Sequence, residues 1–134
     1  MKRGVTIGRL ARDVGVNIET IRYYERIGLM PRAERMSNGR RVYNENVTRT
    51  LAFIRKAREL CFSIEDIRAL LELREAGDAC SDVKVIAARQ LEKVRNEIRR
   101  AAEVESILAD ALHRCPGVGG SASCTVLKVL EAAG

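Results

Sequence analysis

The sequence is poor in several residue types, and each shortage narrows what the chain can be. It has no tryptophan, one histidine and two prolines among 134 residues. A single histidine, without an evident acid–base pair or a glycine loop for phosphate, argues against an enzyme. No apolar run approaches the roughly 20 residues that a membrane-spanning helix needs, and the N-terminus lacks a signal-peptide core. We therefore expect a cytoplasmic protein without a membrane partner.

Four cysteines stand out in this background: Cys61, Cys80, Cys115 and Cys124. In a cytoplasmic protein they indicate metal or redox ligands rather than a disulfide framework. Cys115 and Cys124 bracket a glycine-rich loop in which we expect no regular element. This pair could chelate one soft metal ion, form a redox dithiol, or consist of two unrelated buried residues. Cys61, beside Phe62, is interpreted as a small core residue.

Positive charge is concentrated in the first half of the chain. Residues 1–60 hold 14 Lys and Arg against 6 Asp and Glu, whereas the remaining residues hold 10 against 12. A basic front half joined to a near-neutral back half indicates a polyanion-binding module on an assembly module. The alternative is a basic surface that is merely solvated.

The basic half begins with two short helices. Thr6 and Gly15 fit the start and stop of the first helix, and Asn17 and Gly28 fit those of the second. Two short helices joined by a glycine-containing turn are typical of a helix-turn-helix, whose second helix enters the major groove. Tyr24 points either to the DNA backbone or to the core. The candidate DNA-contacting residues of this helix are Thr20, Arg22, Tyr23 and Tyr24.

A basic hairpin follows the two helices. Extended segments around residues 32–36 and 40–43 flank Ser37-Asn38-Gly39, and Asn-Gly is a strong hairpin signal. Such a wing can straddle a groove and hold phosphates, although an ordinary charged hairpin would show the same pattern. A third helix, capped by Asn44, presents further basic residues near the wing. The candidates from these elements are Arg35, Arg40, Arg41, Tyr43 and Arg55.

A long helix, roughly residues 81–113, organises the second half. It follows a shorter helix that Ser63 and Asp66 cap. An apolar seam at heptad spacing, broken only by Glu105, predicts a coiled coil. A chain this small cannot bury that seam alone, so we expect a homodimer. The seam consists of Leu91, Val94, Ile98, Ala101, Leu108 and Leu112.

The cysteines lie next to the ends of the long helix. Cys80 precedes it, and Cys115 and Cys124 follow it. At 1.5 Å per residue the helix is about 50 Å long, so its two ends cannot meet within one chain. In an antiparallel dimer the start of one helix lies beside the end of the other. We therefore hypothesise a three-thiolate site that two protomers build together.

Four segments resemble the MerR family of winged-helix transcription regulators. Residues 6–11 read TIGRLA, residues 21–29 IRYYERIGL, residues 37–43 SNGRRVY and residues 58–67 RELCFSIEDI. They occur in order and without large gaps over almost the whole chain. Cys61 stands where the family usually has glycine. Because cysteine does not adopt left-handed backbone freely, the sequence does not favour a tight, left-handed helix end there.

The resemblance implies a mainly α fold in three parts. A winged helix-turn-helix domain with connecting helices occupies residues 1–78, an antiparallel coiled-coil dimerisation helix residues 79–113, and a metal-binding loop with a short terminal helix residues 114–134. It implies Cys80 of one protomer, and Cys115 and Cys124 of the other, as ligands. Their intervals of 35 and 9 residues are similar to those of mercury and lead sensors. We expect Hg(II), which three thiolates satisfy, with Pb(II), Cd(II) or Zn(II) as alternatives.

The resemblance also implies a mechanism. The dimer binds a two-fold-symmetric operator in an overlong promoter spacer, and metal binding untwists and bends the double-stranded DNA so that RNA polymerase reads both promoter elements.

Two other functions stay open. One is a regulator of the same fold that senses oxidants through the loop thiols, and the other is a thiol-based metal buffer, against which the basic wing argues.

Overall fold

The computed structural model describes residues 4–35, 39 and 41–132. These residues are mainly helical, as predicted. The elements are α1 (Ile7–Val14), α2 (Ile18–Arg26), β1 (Glu34–Arg35), β2 (Arg41–Val42), α3 (Glu45–Glu59), α4 (Ile64–Ala76), α5 (Cys80–Arg114), a 3-10 turn (Ser121–Ser123) and α6 (Thr125–Glu131). The chain divides into two compact units, residues 1–86 and residues 87–134. In the described ranges, no helix is long and apolar enough to span a membrane.

The predicted starts of the first four helices are confirmed by side-chain caps. In each case a side-chain oxygen accepts a hydrogen bond from a backbone N–H of the first helical turn, which satisfies a donor that the helix itself leaves unpaired. The capping residues are Thr6, Asn17, Asn44 and Ser63. The predicted ends of the first two helices are also confirmed. Gly15 and Gly28 both have left-handed backbone, with φ of 78° and 73°.

The first unit has one apolar core, to which α1 to α4 and the wing contribute. Five aliphatic side chains are completely buried in it: Leu10, Ile21, Leu51, Ile54 and Ile67. The predicted wing is confirmed as an antiparallel pair in which Glu34 lies opposite Val42 and Arg35 opposite Arg41. Residues 36–38 and Arg40 of this hairpin lie outside the described residues.

The end of α3 differs from the prediction. Cys61 has left-handed backbone, with φ of 67°, and its side chain is exposed, so it is not a core residue. Its N–H donates to Arg58 O at 2.9 Å, and Phe62 N–H donates to Ala57 O at 3.1 Å. These two bonds form a Schellman motif, which usually has glycine at the left-handed position. The helix therefore ends as tightly as glycine would allow, with a cysteine in its place.

The long helix α5 is continuous over 35 residues and begins and ends within one residue of the predicted bounds. The boundary between the two compact units falls inside it, between residues 86 and 87. The predicted domain bounds after residues 78 and 113 stay a prediction. Within one chain the predicted seam is uncovered. Its large side chains are between 47% and 66% exposed: Leu91, Ile98, Leu108 and Leu112.

The tail after α5 contains one short element that the sequence did not predict. Residues 121–123 form a single 3-10 turn, where we expected no regular structure. The turn is closed by backbone and by Ser123, whose hydroxyl donates to Gly120 O at 2.9 Å. Gly117 and Gly119 supply left-handed backbone just before it, with φ of 72° and 105°. The predicted closing helix is confirmed as α6.

Candidate functional site

Helix α2 and the wing enclose a basic cavity of about 380 Å³. Among the described residues that line it, Glu25 is the only acidic one, and the arginines come from α2, from the segment before β1, from β1 and from β2. A concentration of guanidinium groups suits the phosphates of a nucleic acid, because arginine can hold them with two parallel hydrogen bonds. The lining arginines are Arg22, Arg26, Arg32, Arg35 and Arg41.

Three of these arginines belong to the predicted set, and two do not. The structure brings Arg22, Arg35 and Arg41 together at the cavity. Arg26 and Arg32 were left out of the predicted set. The available signal for Arg26 was its spacing of four residues from Arg22, which places both on one face of α2. Arg40 was predicted to join them but lies outside the described residues.

The exposed face of α2 carries further predicted residues. Tyr23 is 44% exposed, and the guanidinium carbon of Arg26 lies 5.8 Å from the centre of its ring. Thr20 is half-buried on the same helix. Tyr24 turns inward and is buried, which settles its side-chain direction in favour of the core. Direct DNA contact by Thr20 and Tyr23 stays a prediction.

Tyr43 has a different position from the one expected. Its side chain is only 1% exposed, and its backbone pairs with Val5 as an isolated antiparallel bridge. The phenol donates to Glu25 Oε1 at 2.6 Å. Burial, reinforced by this hydrogen bond to a carboxylate, raises the pKa of Tyr43 well above its ordinary value. Tyr43 is therefore a core residue that holds Glu25 at the cavity, and its side chain is not part of the exposed basic surface.

Arg55 lies at the end of α1. Its Nη1 donates to Val14 O at 2.9 Å, and its Nη2 lies 3.5 Å from Glu59 Oε1. The guanidinium thus satisfies a carbonyl that the end of α1 leaves unpaired. Contact of Arg55 with a phosphate stays a prediction.

The loop after α5 brings two of the predicted metal ligands together. Cys115 and Cys124 are half-buried, and both line a cavity of about 290 Å³ formed by the loop. The N–H of Leu127, then that of Val126, in the first turn of α6 lowers the pKa of Cys124, and the adjacent Cys115 side chain lowers it further. Desolvation opposes them.

This arrangement favours a soft cation. A thiolate is both the nucleophilic and the metal-binding form of cysteine, and a lowered pKa makes that form more abundant. Two adjacent sulfurs can bind such an ion from one side. In the part of the chain that the structure describes, no three or more His, Cys, Asp or Glu side chains lie together as a metal-binding group. Within one chain, therefore, His113 does not complete the pair.

Cys80 is the first residue of α5 and is exposed, while Cys115 directly follows the last residue of that helix. The helix between them spans about 50 Å. A site made of Cys80 of one chain and the two loop thiols of another stays a prediction.

Comparison with known proteins gives the family. Residues 5–74 match the profile of the MerR HTH family of regulatory proteins, and residues 48–111 match the profile described as MerR, DNA binding. A mercuric resistance operon regulatory protein from Bacillus cereus is 36% identical over 125 residues, which cover 92% of this chain and 95% of that protein.

Two solved structures have the same fold. A transcription regulator from Ralstonia metallidurans in complex with lead(II) is 30% identical, with a TM-score of 0.79 and coverage of 97% of this chain and 99% of that one. A MerR regulator from Bacillus megaterium in complex with mercury(II) is 30% identical, with a TM-score of 0.71 and coverage of 96% and 100%. With a basic helix-turn-helix and wing, a long helix and a two-thiol loop, the chain belongs to the MerR family of DNA-binding transcription regulators and is not an enzyme.

Proposed function

We propose that Hg(II) is the inducer of this metal-responsive, homodimeric regulator, and that Cys80 of one chain and Cys115 and Cys124 of the other bind it. The observation that carries the proposal is the adjacency of the two loop thiols directly behind a helix that Cys80 begins. One chain supplies two sulfurs at this place. A third thiolate has to come from another chain.

The exposed seam of α5 supports an antiparallel partner. Leu91 lies in the first half of the helix and Leu108 in the second half, and both are about half exposed in one chain. A second copy would remove this apolar surface from water, which stabilises the pair in proportion to the buried area. Antiparallel packing also brings the Cys80 end of one helix to the loop of the other.

The donor set selects the ion. Three thiolates are soft ligands and satisfy Hg(II) without oxygen or nitrogen donors. Pb(II) is the second candidate, and the lead(II) complex of the Ralstonia regulator, with its similar fold, favours it specifically. Competition titration of the purified dimer with Hg(II), Pb(II), Cd(II) and Zn(II) ranks the ions. Tighter binding of Pb(II) than Hg(II) would reject mercury as the inducer.

A different set of residues contacts DNA in this proposal. Thr20, Arg22 and Tyr23 of α2 read bases in the major groove, and the arginines of the wing hold phosphates on either side. The dimer sits on a two-fold-symmetric operator within a promoter that RNA polymerase also occupies. Metal binding favours one of two dimer conformations and thereby untwists and bends the promoter DNA.

Heterodimers test the shared site. One chain carries Cys80→Ser, the other carries Cys115→Ser with Cys124→Ser, and different affinity tags allow the mixed dimer to be purified. Each mutant homodimer should lose tight Hg(II) binding and still bind DNA. The heterodimer has one interface with an intact Cys80 and an intact loop, so it should regain tight binding at half the wild-type stoichiometry.

A site within a single chain gives the opposite result. Neither chain of the heterodimer then owns all three thiols, and no tight binding returns. Cys61→Ser is the matched control, because it removes an exposed thiol outside the proposed site. It should bind Hg(II) with wild-type affinity and stoichiometry. Failure of the verified heterodimer to bind would refute the shared site for whichever ion is used.

A further inference from the structure

Arg68 joins helix α4 to the end of helix α2. Its Nη2 donates to Ile27 O at 2.8 Å, and its Nη1 donates to Gly28 O at 3.3 Å. Two successive carbonyls at the C-terminal end of α2 thus share one guanidinium. The contact joins residues 40 and 41 positions apart in the sequence.

Both partners of this contact are held by their surroundings. Arg68 follows Ile67, which is completely buried in the core, so the base of its side chain is fixed. The two carbonyls lie where α2 has ended and cannot bond within the helix. The C-terminal end of a helix carries partial negative charge, which a guanidinium neutralises. The planar fork of arginine reaches both oxygens, whereas a lysine ammonium would be a single point of charge.

The position of α4 in the chain makes this contact relevant to signalling. Helix α4 ends at Ala76 with Gly77 as its C-cap, and α5 begins three residues after Gly77 with Cys80. Along the chain, α4 is the helix that directly precedes the start of α5. From α4 the two hydrogen bonds of Arg68 lead directly to α2, which carries the proposed base-reading residues.

A second arginine on α4, Arg74, makes different contacts from those of Arg68. Arg74 Nη2 donates to Thr50 Oγ1 at 3.0 Å, and its guanidinium carbon lies 5.0 Å from the centre of the Phe53 ring. Both contacts are with α3. Arg74 therefore ties α4 into the domain without touching α2.

We propose that Arg68 is the positioning residue that couples α4 to α2, so that its two hydrogen bonds set the placement of α2 on DNA and carry the metal-induced shift to it. The second part of this proposal rests on the proposed metal-responsive function. In this role Arg68 acts through α2 and not through a contact of its own with DNA or metal.

The test compares full-length dimers of wild type, Arg68→Ala, Arg68→Lys and the matched control Arg74→Ala. The operator is selected from random duplexes with the wild-type protein. Two quantities are measured at fixed salt. One is the ratio of operator to random-sequence affinity without metal, and the other is the metal-induced change in energy transfer between dyes at the operator ends, with Hg(II) and then Pb(II) as probes.

Arg68→Ala should lower the affinity ratio about tenfold, a size typical of coupling between sites, and should reduce the metal-induced change in energy transfer. Arg68→Lys should recover only part of each, since it keeps the charge but not the fork. Arg74→Ala should keep the wild-type affinity ratio and metal response even where its thermal stability falls as far as that of Arg68→Ala. Arg68→Lys keeps the test decisive if Arg68→Ala does not fold.

Wild-type values of both quantities in the Arg68 variants would overturn the proposal. Equal losses in Arg74→Ala would also overturn it, because they would reduce Arg68 to a general structural role. If the wild type itself shows no metal-induced change with either ion, the proposed inducer fails. The affinity ratio, which needs no metal, then still decides whether Arg68 places α2.

Discussion

Replacing Cys61 with glycine should stabilise the protein. The residue has φ of 67° in the Schellman motif that ends α3. Left-handed backbone costs a residue with a side chain about 1–2 kcal/mol, and glycine avoids this cost. Glycine also gives the unfolded chain more conformational entropy, which lowers the free energy of unfolding by about 0.4–1 kcal/mol. The net expectation for Cys61→Gly is a gain of about 0.5–1 kcal/mol per chain.

The side chain itself contributes little to this balance. It is exposed, and its closest described polar contact is a long one, 3.9 Å from Sγ to Glu59 O. Cys61→Ala is therefore the matched control, because alanine loses the sulfur but keeps a Cβ in left-handed backbone. We expect Cys61→Ala to remain within about 0.5 kcal/mol of wild type, as most surface substitutions do.

Urea unfolding measures the difference. With an m-value of about 2 kcal/mol per molar urea, the Cys61→Gly midpoint should rise by about 0.3–0.5 M. All variants are compared at one protein concentration with reductant, since the midpoint of a dimer depends on concentration. A Cys61→Gly midpoint at or below that of Cys61→Ala would refute the backbone explanation. Hg(II) affinity should be unchanged in both variants.

Three further predictions concern the dimer, the DNA and the thiols. Leu91→Glu with Leu108→Glu puts charges into the proposed seam and should give monomers in sedimentation; an intact dimer would reject the coiled coil. Arg41→Ala should weaken binding to operator and random DNA alike and reduce the salt slope by about one per lost phosphate contact; a loss confined to the operator would contradict the phosphate role. Because the pKa of Cys124 is lowered, its thiolate persists at pH values where an ordinary cysteine is protonated, and it is lost only as pH falls through the lowered pKa. Alkylation of Cys124 should therefore persist to lower pH than in an unfolded control. Cys115→Ser should shift this alkylation profile upward, and identical profiles would show that the neighbouring thiol has no effect.

Signals that act over a few residues were readable from the sequence. Each of the four helix caps accepts a hydrogen bond from a backbone N–H two or three residues ahead, so the residue type at one position decides where the helix starts. The capping residues are Thr6, Asn17, Asn44 and Ser63. The same holds for the glycines that end α1 and α2. The paired wing and the length of α5 followed from local patterns of the same kind.

Positions decided by distant contacts were not readable in this way. Tyr43 ends a basic hairpin and was therefore expected on the DNA surface. Its burial depends on Val5 and Glu25, which lie 38 and 18 residues earlier in the chain. Arg68 gives no signal in its own segment either, because its partners at the end of α2 are about 40 residues away.

Cys61 was misjudged for another reason. Its apolar neighbour Phe62 and the small size of cysteine favoured a core position, while the left-handed turn was disfavoured by its residue type. The Schellman motif that ends α3 has left-handed backbone at this position, and the cysteine adopts it despite the strain. Once the residue has left-handed backbone, its side chain points to solvent and is exposed.

The length of α5 links the proposed metal site to the proposed switch. Helix α5 runs for 35 residues from Cys80 to the loop, and in the proposed site the third thiolate therefore comes from a second copy. An ion bound in this way contacts both chains and binds best to the dimer conformation that brings the three sulfurs together. The same helix is preceded by α4, which Arg68 joins to α2. In this proposal, closing the sulfurs around the ion acts on the start of α5, and the two hydrogen bonds of Arg68 connect the preceding helix to α2.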